Sequence, residues 1–231
     1  MALLELSGVS AAYGAIEVVH GVSLSVEPGE VVALLGSNGG GKSTLMNVIS
    51  GLHAPSEGTI TFDGNDVTKT DAPERVSAGI CAIPEGRGIF PNLTVRENLR
   101  LATYAGVKTA DVEAIAFDRF PRLAERKSQL AGTLSGGEQQ MLALARAFVV
   151  SPKLLILDEL SMGLAPLIVE DLYGRVAALA SEGMALLVVE QFARTILPLA
   201  HRAAIMSHGL ITHVGDPATI EAELSSSYLG G

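Results

Sequence analysis

The chain has 231 residues, 48% of them hydrophobic and 4% aromatic, with a formal net charge of −9. That length suits one domain with a lobe, or at most two small domains, and the apolar fraction excludes global disorder. The acidic, aromatic-poor balance excludes a general nucleic-acid binder and leaves no basic face for anionic lipid.

Uninterrupted apolar runs such as Met184–Val189 and Leu164–Val169 fall far short of the about 20 residues that a spanning helix needs. The first residues carry no basic leader region and meet Glu5 early, which reads as no signal peptide. Cys81 is the single cysteine, so no internal disulfide forms and a reducing, cytosolic setting fits. The sequon at Asn92–Thr94 is then a chance match.

In chain order, the sequence predicts short strands over 3–9, 21–26 and 30–35, with a Pro28-Gly29 turn before the last. A glycine-rich stretch follows, then a helix from Lys42 to about Ser50. Alternation over 58–64 and a short apolar run over 79–84 predict two more strands. From Thr94 to Val150 the periodicity turns helical. Thr94 with Glu97, and Ser135 with Glu138, have the spacing of a capping box at a helix start. The second helix stops before Pro152. Strands over 154–157 and 185–190 then alternate with helices over 167–180 and 192–200.

That order predicts a single α/β domain over 1–231: a mostly parallel sheet, antiparallel strands at the N-terminus, and a helical subdomain inserted at about 86–150. There are no repeats and no low-complexity linkers.

Gly36-Ser37-Asn38-Gly39-Gly40-Gly41-Lys42-Ser43 fits G-x-x-x-x-G-K-[ST], between a predicted strand and a predicted helix. Successive backbone N–H groups of such a loop wrap phosphate oxygens, and side chains would obstruct them. The helix that follows adds the positive end of its dipole. Lys42 is expected on the β- and γ-phosphates, Ser43 on Mg²⁺ and Thr44 on the α-phosphate. A P-loop NTPase core is therefore predicted. Asp158 and Glu159, directly after the apolar Leu154–Leu157, supply the carboxylates such a site needs. Asp158 is expected to hold Mg²⁺ through water, and Glu159 to act as general base on the attacking water.

Leu134-Ser135-Gly136-Gly137-Glu138-Gln139-Gln140 closely resembles the signature segment of ABC-type ATPases, usually LSGGQ. Physically it is a second anion site at a helix start. The resemblance covers essentially the whole chain. It implies that Ser135, Gly136, Gly137 and Glu138 contact the γ-phosphate of ATP held by another subunit, and that Tyr13 stacks on adenine. Ser161-Met162-Gly163-Leu164-Ala165-Pro166, Pro84-Glu85-Gly86-Arg87, Val189-Glu190-Gln191 and the C-terminal Tyr228-Leu229-Gly230-Gly231 resemble one branch, the ATPases of branched-chain amino-acid importers (LivF type).

Against the wider family, Glu85 replaces Gln, Gln191 replaces His, Ala165 replaces Asp and Leu160 replaces Pro. The first three resemble the branch; Leu160 is peculiar to this chain. Glu85 is expected near Mg²⁺ or a water, and Gln191 near the γ-phosphate, where it can orient water without carrying a proton charge.

The resemblance implies an ATP- and Mg²⁺-dependent ATPase subunit driving uptake of branched-chain amino acids. Its expected partners are membrane permease subunits docking near Gly86–Leu93, a second identical or homologous ATPase subunit and, indirectly, a periplasmic solute-binding protein. Nucleic acid is not among them. The expected place is the cytoplasmic face of the bacterial inner membrane. Urea or an amide as solute, and an ATP-binding regulatory half with weak hydrolysis, remain open. A P-loop GTPase is disfavoured by the absence of an Asn-Lys-x-Asp motif, and a DNA- or ribosome-acting ATPase by the absence of room for its extra domains. The five histidines (His20, His53, His201, His208, His213) show no metal spacing and read as packing or surface residues.

Overall fold

A computed structural model describes residues 1–86 and 88–229. Arg87, in the expected docking loop, and Gly230 and Gly231 lie outside them.

Two sheets form. β1 (Leu4–Tyr13), β2 (Ile16–Val26), β4 (Glu57–Phe62) and β5 (Asn65–Asp66) make an antiparallel sheet in the order β2-β1-β4-β5. β3 (Val31–Leu35), β6 (Ile80–Ile83), β7 (Leu154–Asp158), β8 (Ala185–Glu190), β9 (Arg202–Ser207) and β10 (Leu210–Gly215) make a second sheet in the order β10-β9-β3-β8-β7-β6. In it β6, β7, β8, β3 and β9 run parallel, and β10 pairs antiparallel at the edge. The expected mixed α/β core is present.

β3, β7 and β8 are buried along their whole length, which is why they read as unbroken apolar runs rather than alternating ones. Their side chains nevertheless alternate between two cores. Val31, Ala33, Leu35, Leu155, Leu157, Leu186 and Val188 face the helical layer. Val32, Leu34, Leu154, Ile156, Leu187 and Val189 face the P-loop helix α1 (Lys42–Ile49) and the antiparallel sheet. Each such buried side chain contributes roughly 1.5–3 kcal/mol of transfer free energy.

Between β6 and β7 the described elements are helical: α3 (Val95–Arg100), α4 (Thr109–Arg119), α5 (Pro121–Glu125) and α6 (Gly136–Val150), with two short 3₁₀ turns. Both predicted capping boxes form. The Thr94 hydroxyl accepts from the Glu97 N–H at 3.2 Å, and Glu97 accepts from the Thr94 N–H at 2.7 Å. Ser135 and Glu138 make the equivalent pair at the start of α6.

One predicted element differs. The helix expected over 192–200 is a single turn, α8 (Ala193–Ile196), followed by a 3₁₀ turn over Leu197–Leu199. Pro198 supplies no N–H to continue the helical ladder. Elements the sequence pattern did not disclose are α2 (Ala72–Ala78), β5, β9, β10 and α9 (Pro217–Leu229). α2 carries its own capping box, Asp71 with Glu74, and Pro73 in its first turn. Its Arg75 is a buried cation. Its guanidinium donates to the carbonyls of Val48 (2.6 Å) and Ile49 (2.8 Å), at the C-terminus of α1, and of Val67 (2.7 Å). A cation there complements the negative end of the helix dipole.

Candidate nucleotide site

The carboxyl ends of neighbouring parallel strands assemble the site, as expected for open α/β sheets. Leu35 pairs with Glu190, Asp158 with Val189, and Ile83 with Leu157. The segments that follow β3, β8, β7 and β6 therefore emerge side by side. They carry the glycine loop, Gln191, Glu159 and Glu85 respectively.

The loop is shaped by its glycines. A Cβ on Gly36 would lie 2.2 Å from the Met206 carbonyl oxygen of β9, closer than packed atoms approach. Gly41 occupies the left-handed region at φ +98°, which favours glycine, and ends the loop as the N-cap of α1. Gly40 is fastened to the β9–β10 turn by a hydrogen bond from Gly209 N–H to its carbonyl, 2.9 Å. No side chain caps α1, so the first-turn N–H groups of Lys42, Ser43 and Thr44 have no side-chain acceptor. Those are the groups that bind anions at a helix start.

Lys42 is buried. Its Nζ donates to the carbonyls of Gly36 (2.8 Å) and Ser37 (3.1 Å) and lies 3.4 Å from the Glu159 carboxylate. A buried ammonium needs such partners. Glu159 adopts φ +47°, left-handed for a non-glycine residue. That turns the chain sharply at the end of β7 and directs Glu159 back toward the loop lysine. Its N–H donates to the Val189 carbonyl of β8 at 2.9 Å. Leu160, where the wider family has Pro, is fully buried in the helical-layer core, so here an apolar side chain fixes the turn.

Asp158 ends β7 and is 2% exposed. Burial pushes its carboxyl up to about 6; the Ser43 hydroxyl hydrogen-bonds to it and works against that, whereas the charges of Glu159 and Glu85 add to it. Its Oδ1 is buried without a hydrogen-bond partner. An orphaned carboxylate oxygen beside a serine hydroxyl and two further carboxylates suits a hard divalent cation. Among the described residues no group of three or more His, Cys, Asp or Glu is disposed to hold a metal alone. Mg²⁺ bound mainly through nucleotide phosphates matches that sparse set.

Gln191 is exposed directly after β8, and Glu85 is exposed two residues past the end of β6. Tyr13 ends β1, is half-exposed and stacks on His53 with ring centroids 4.5 Å apart. His53 Nε2 lies 3.0 Å from the Ala12 carbonyl. This backing of Tyr13 had no sequence signal, since 13 and 53 meet through the tertiary fold.

The signature lies away from this group, at the start of α6. Ser135 N–H and Oγ donate to Glu138 Oε2 at 2.9 and 2.8 Å, and Glu138 pairs with Arg126 at 2.6 Å. Burial raises the Glu138 carboxyl, but the Ser135 hydrogen bonds and Arg126 outweigh it and hold the carboxyl below its usual range. The Glu138 N–H is taken by Ser135 Oγ at 3.4 Å. Gly137 is buried, and a Cβ there would lie 2.4 Å from Ile168 Cγ2. Its lack of a side chain lets α6 pack on α7 (Pro166–Ser181).

A glycine loop leading into an uncapped helix, with a buried Asp-Glu pair on the next strand but one, defines a P-loop ATPase. The ABC transporter family matches residues 19–161, and the chain belongs to that family. It is 40% identical to the "High-affinity branched-chain amino acid transport ATP-binding protein BraG" of Pseudomonas aeruginosa, over 99% of this chain and 100% of that one. It is 33% identical to the "Probable branched-chain amino acid transport ATP-binding protein LivF" of Archaeoglobus fulgidus, over 92% of each. Among solved structures it resembles the ADP conformation of an ATP-binding cassette of an ABC transporter. That match has a TM-score of 0.87 and 27% identity over 100% of both chains. The chain is thus an ATPase subunit of the ABC class. No helix of the described residues is long and apolar enough to cross a membrane.

Proposed function

We propose that this chain binds ATP with Mg²⁺ and hydrolyses it to drive import of branched-chain amino acids through a membrane permease. The supporting observation is the convergence of Lys42, Ser43, Asp158 and Glu159 at the ends of β3 and β7, with Asp158 Oδ1 buried and unpartnered. The names of its two relatives support the solute class.

In this reading the loop Gly36, Ser37, Asn38, Gly39, Gly40 and Gly41 wraps the phosphates. Lys42 exchanges its loop carbonyls for β- and γ-phosphate oxygens, which releases Glu159 to accept the proton of the attacking water. Thr44 holds the α-phosphate, and Tyr13 stacks on adenine. Ser43, Asp158 and Glu85 would hold Mg²⁺, which supplies charge neutralisation at the phosphates when bound. Gln191 orients water or meets the γ-phosphate. Ser135, Gly136, Gly137 and Glu138 serve the nucleotide of a second ATPase subunit, identical or homologous.

The segment at about 86–150 acts as a helical lobe within one domain. The permease docks beside Gly86–Leu93. A cleft of about 910 Å³ there is lined by Val76, Cys81, Pro84, Gly88, Leu101 and Arg146. Phe90 is half-exposed, its ring centroid 5.3 Å from the Arg146 guanidinium, and its backbone N–H and carbonyl are held by the Asn98 side chain at 2.8 and 2.9 Å. The chain then sits peripherally on the cytoplasmic face of the inner membrane, and a periplasmic binding protein delivers the solute on the other side.

The test is Mg²⁺-ATP hydrolysis by the purified chain over a wide range of its concentration. A specific activity that rises with concentration means the chain completes its own composite site. ATP binding without turnover at every concentration means that hydrolysis requires a different ATPase partner. No ATP binding overturns the reading. For the solute, cells lacking this chain are expected to lose leucine, isoleucine and valine uptake and to keep urea and amide uptake; the reverse pattern reassigns the substrate.

A further inference from the structure

Glu190 is a buried carboxylate to which the reading above assigns no task. It ends β8, whose preceding residues Ala185–Val189 are all apolar and buried, and it is 1% exposed. Desolvating a carboxylate costs several kcal/mol, and another valine would serve strand packing alone. Its partners are specific. Oε1 accepts from the Ser161 N–H at 3.2 Å and from the Tyr173 hydroxyl; Oε2 accepts from the Ser161 hydroxyl at 3.0 Å. Burial, then the adjacent Glu190, pushes the Tyr173 hydroxyl well above the usual phenol range, so it stays a donor.

These contacts join three elements. Ser161 lies in the turn after Glu159, Tyr173 lies on α7, and Gln191 follows Glu190 directly. Past the strand ends, Ser161, Met162, Leu164, Tyr173 and Phe192 line an open cleft of about 710 Å³, and Phe192 is 62% exposed. Leu160 anchors the turn in the core, and the hydrogen bonds from Ser161 to Glu190 join that turn to the end of β8, next to Gln191.

We propose that Glu190 is a positioning residue that ties the turn over 160–166 to Gln191, so that the two move as one unit when nucleotide binds. The inference rests on the proposed function, in which Gln191 orients water or meets the γ-phosphate. The carboxylate suits this role because it is acceptor-only. It gathers two donors from one residue of the turn and one from α7 without needing a cation.

The test compares Tyr173→Phe and Glu190→Gln with the parent chain by amide hydrogen exchange at Ser161 and by steady-state hydrolysis. Tyr173→Phe removes one oxygen and leaves the packing. Both variants are expected to raise exchange at Ser161 about 10-fold while core amides of β3 and β7 hold their protection. Each is expected to lower kcat about 10-fold and leave KM for Mg²⁺-ATP within about 2-fold, as for groups that act in the transition state. Combined with Ser161→Ala they should be non-additive, since all act through one carboxylate. Parental exchange at Ser161 in both variants overturns the tether. Raised exchange with parental kcat overturns the positioning role. Should the parent bind no ATP, the functional reading falls, and the exchange result by itself decides whether the tether exists.

Discussion

The two glycine-rich helix starts of this molecule have opposite characters. At α1 the N-cap is a glycine with no side-chain bond, and the loop is wedged against the β9 backbone at Gly36. Its N–H donors are arranged before any ligand arrives. At α6 the N-cap is Ser135 in a complete capping box with Glu138, itself paired with Arg126. That start is already satisfied by its own anion. The first site is pre-organised for phosphate and costs little to fill. In the proposed function the second exchanges a carboxylate for a phosphate, which suits a contact made late and released early.

The comparison can be broken or sharpened by experiment. The largest effect is expected at Glu159. Glu159→Gln should lower kcat about 1000-fold, within the range of lost general-base catalysis, while ATP affinity stays and an ATP-bound dimer accumulates on gel filtration. Parental turnover would remove Glu159 from the role of base. Next, Lys42→Ala should weaken ATP binding about 100-fold by calorimetry, since a buried charge-assisted contact to phosphate is lost.

Gly36→Ala should destabilise the fold by roughly 1–3 kcal/mol in urea titration, as over-packing does. Gly39→Ala is the control. No atom lies within 4 Å of its Cβ position and φ is +78°, so it bears backbone strain alone, about 1–2 kcal/mol.

Asp158 gives a pH signature. With its folded carboxyl raised to about 6, the native chain holds that proton more tightly than the unfolded chain. The stability linked to this group is therefore complete below the unfolded carboxyl's titration near pH 4 and is lost as pH rises through about 6. Mg²⁺ requires the charged form, so Mg²⁺-dependent tightening of ATP should fade as pH falls through about 6. Asp158→Asn should remove that pH dependence. The smallest effect is at α6: Ser135→Ala should cost about 1 kcal/mol of stability, the usual loss of an N-cap. An equal loss of ATP binding in the isolated monomer would erase the contrast between the two helix starts.

Much of this was legible in the chain because its signals are local. The glycine loop, the Asp158-Glu159 pair and the two capping boxes depend on residues within a few positions of each other. β3, β7 and β8 were legible because strands buried on both faces leave unbroken apolar runs. The one-turn truncation at α8 was available in Pro198, but the apolar spacing around it suggested a longer helix. α2 has a capping box and an early proline, yet too little apolar periodicity to stand out.

What the sequence by itself determined is the local layout of the candidate site: where the glycine loop lies, which carboxylates lie at the end of β7, and where helices start. The tertiary structure decided which distant residues complete it. His53 reaches Tyr13, Arg75 caps α1, and Glu190 reaches Ser161 and Tyr173. Each of these is a polar or aromatic side chain whose partner is set by strand order and helix packing. Spacing along the chain carries no record of such a meeting, because non-local contacts are fixed by the folded backbone and not by local preference.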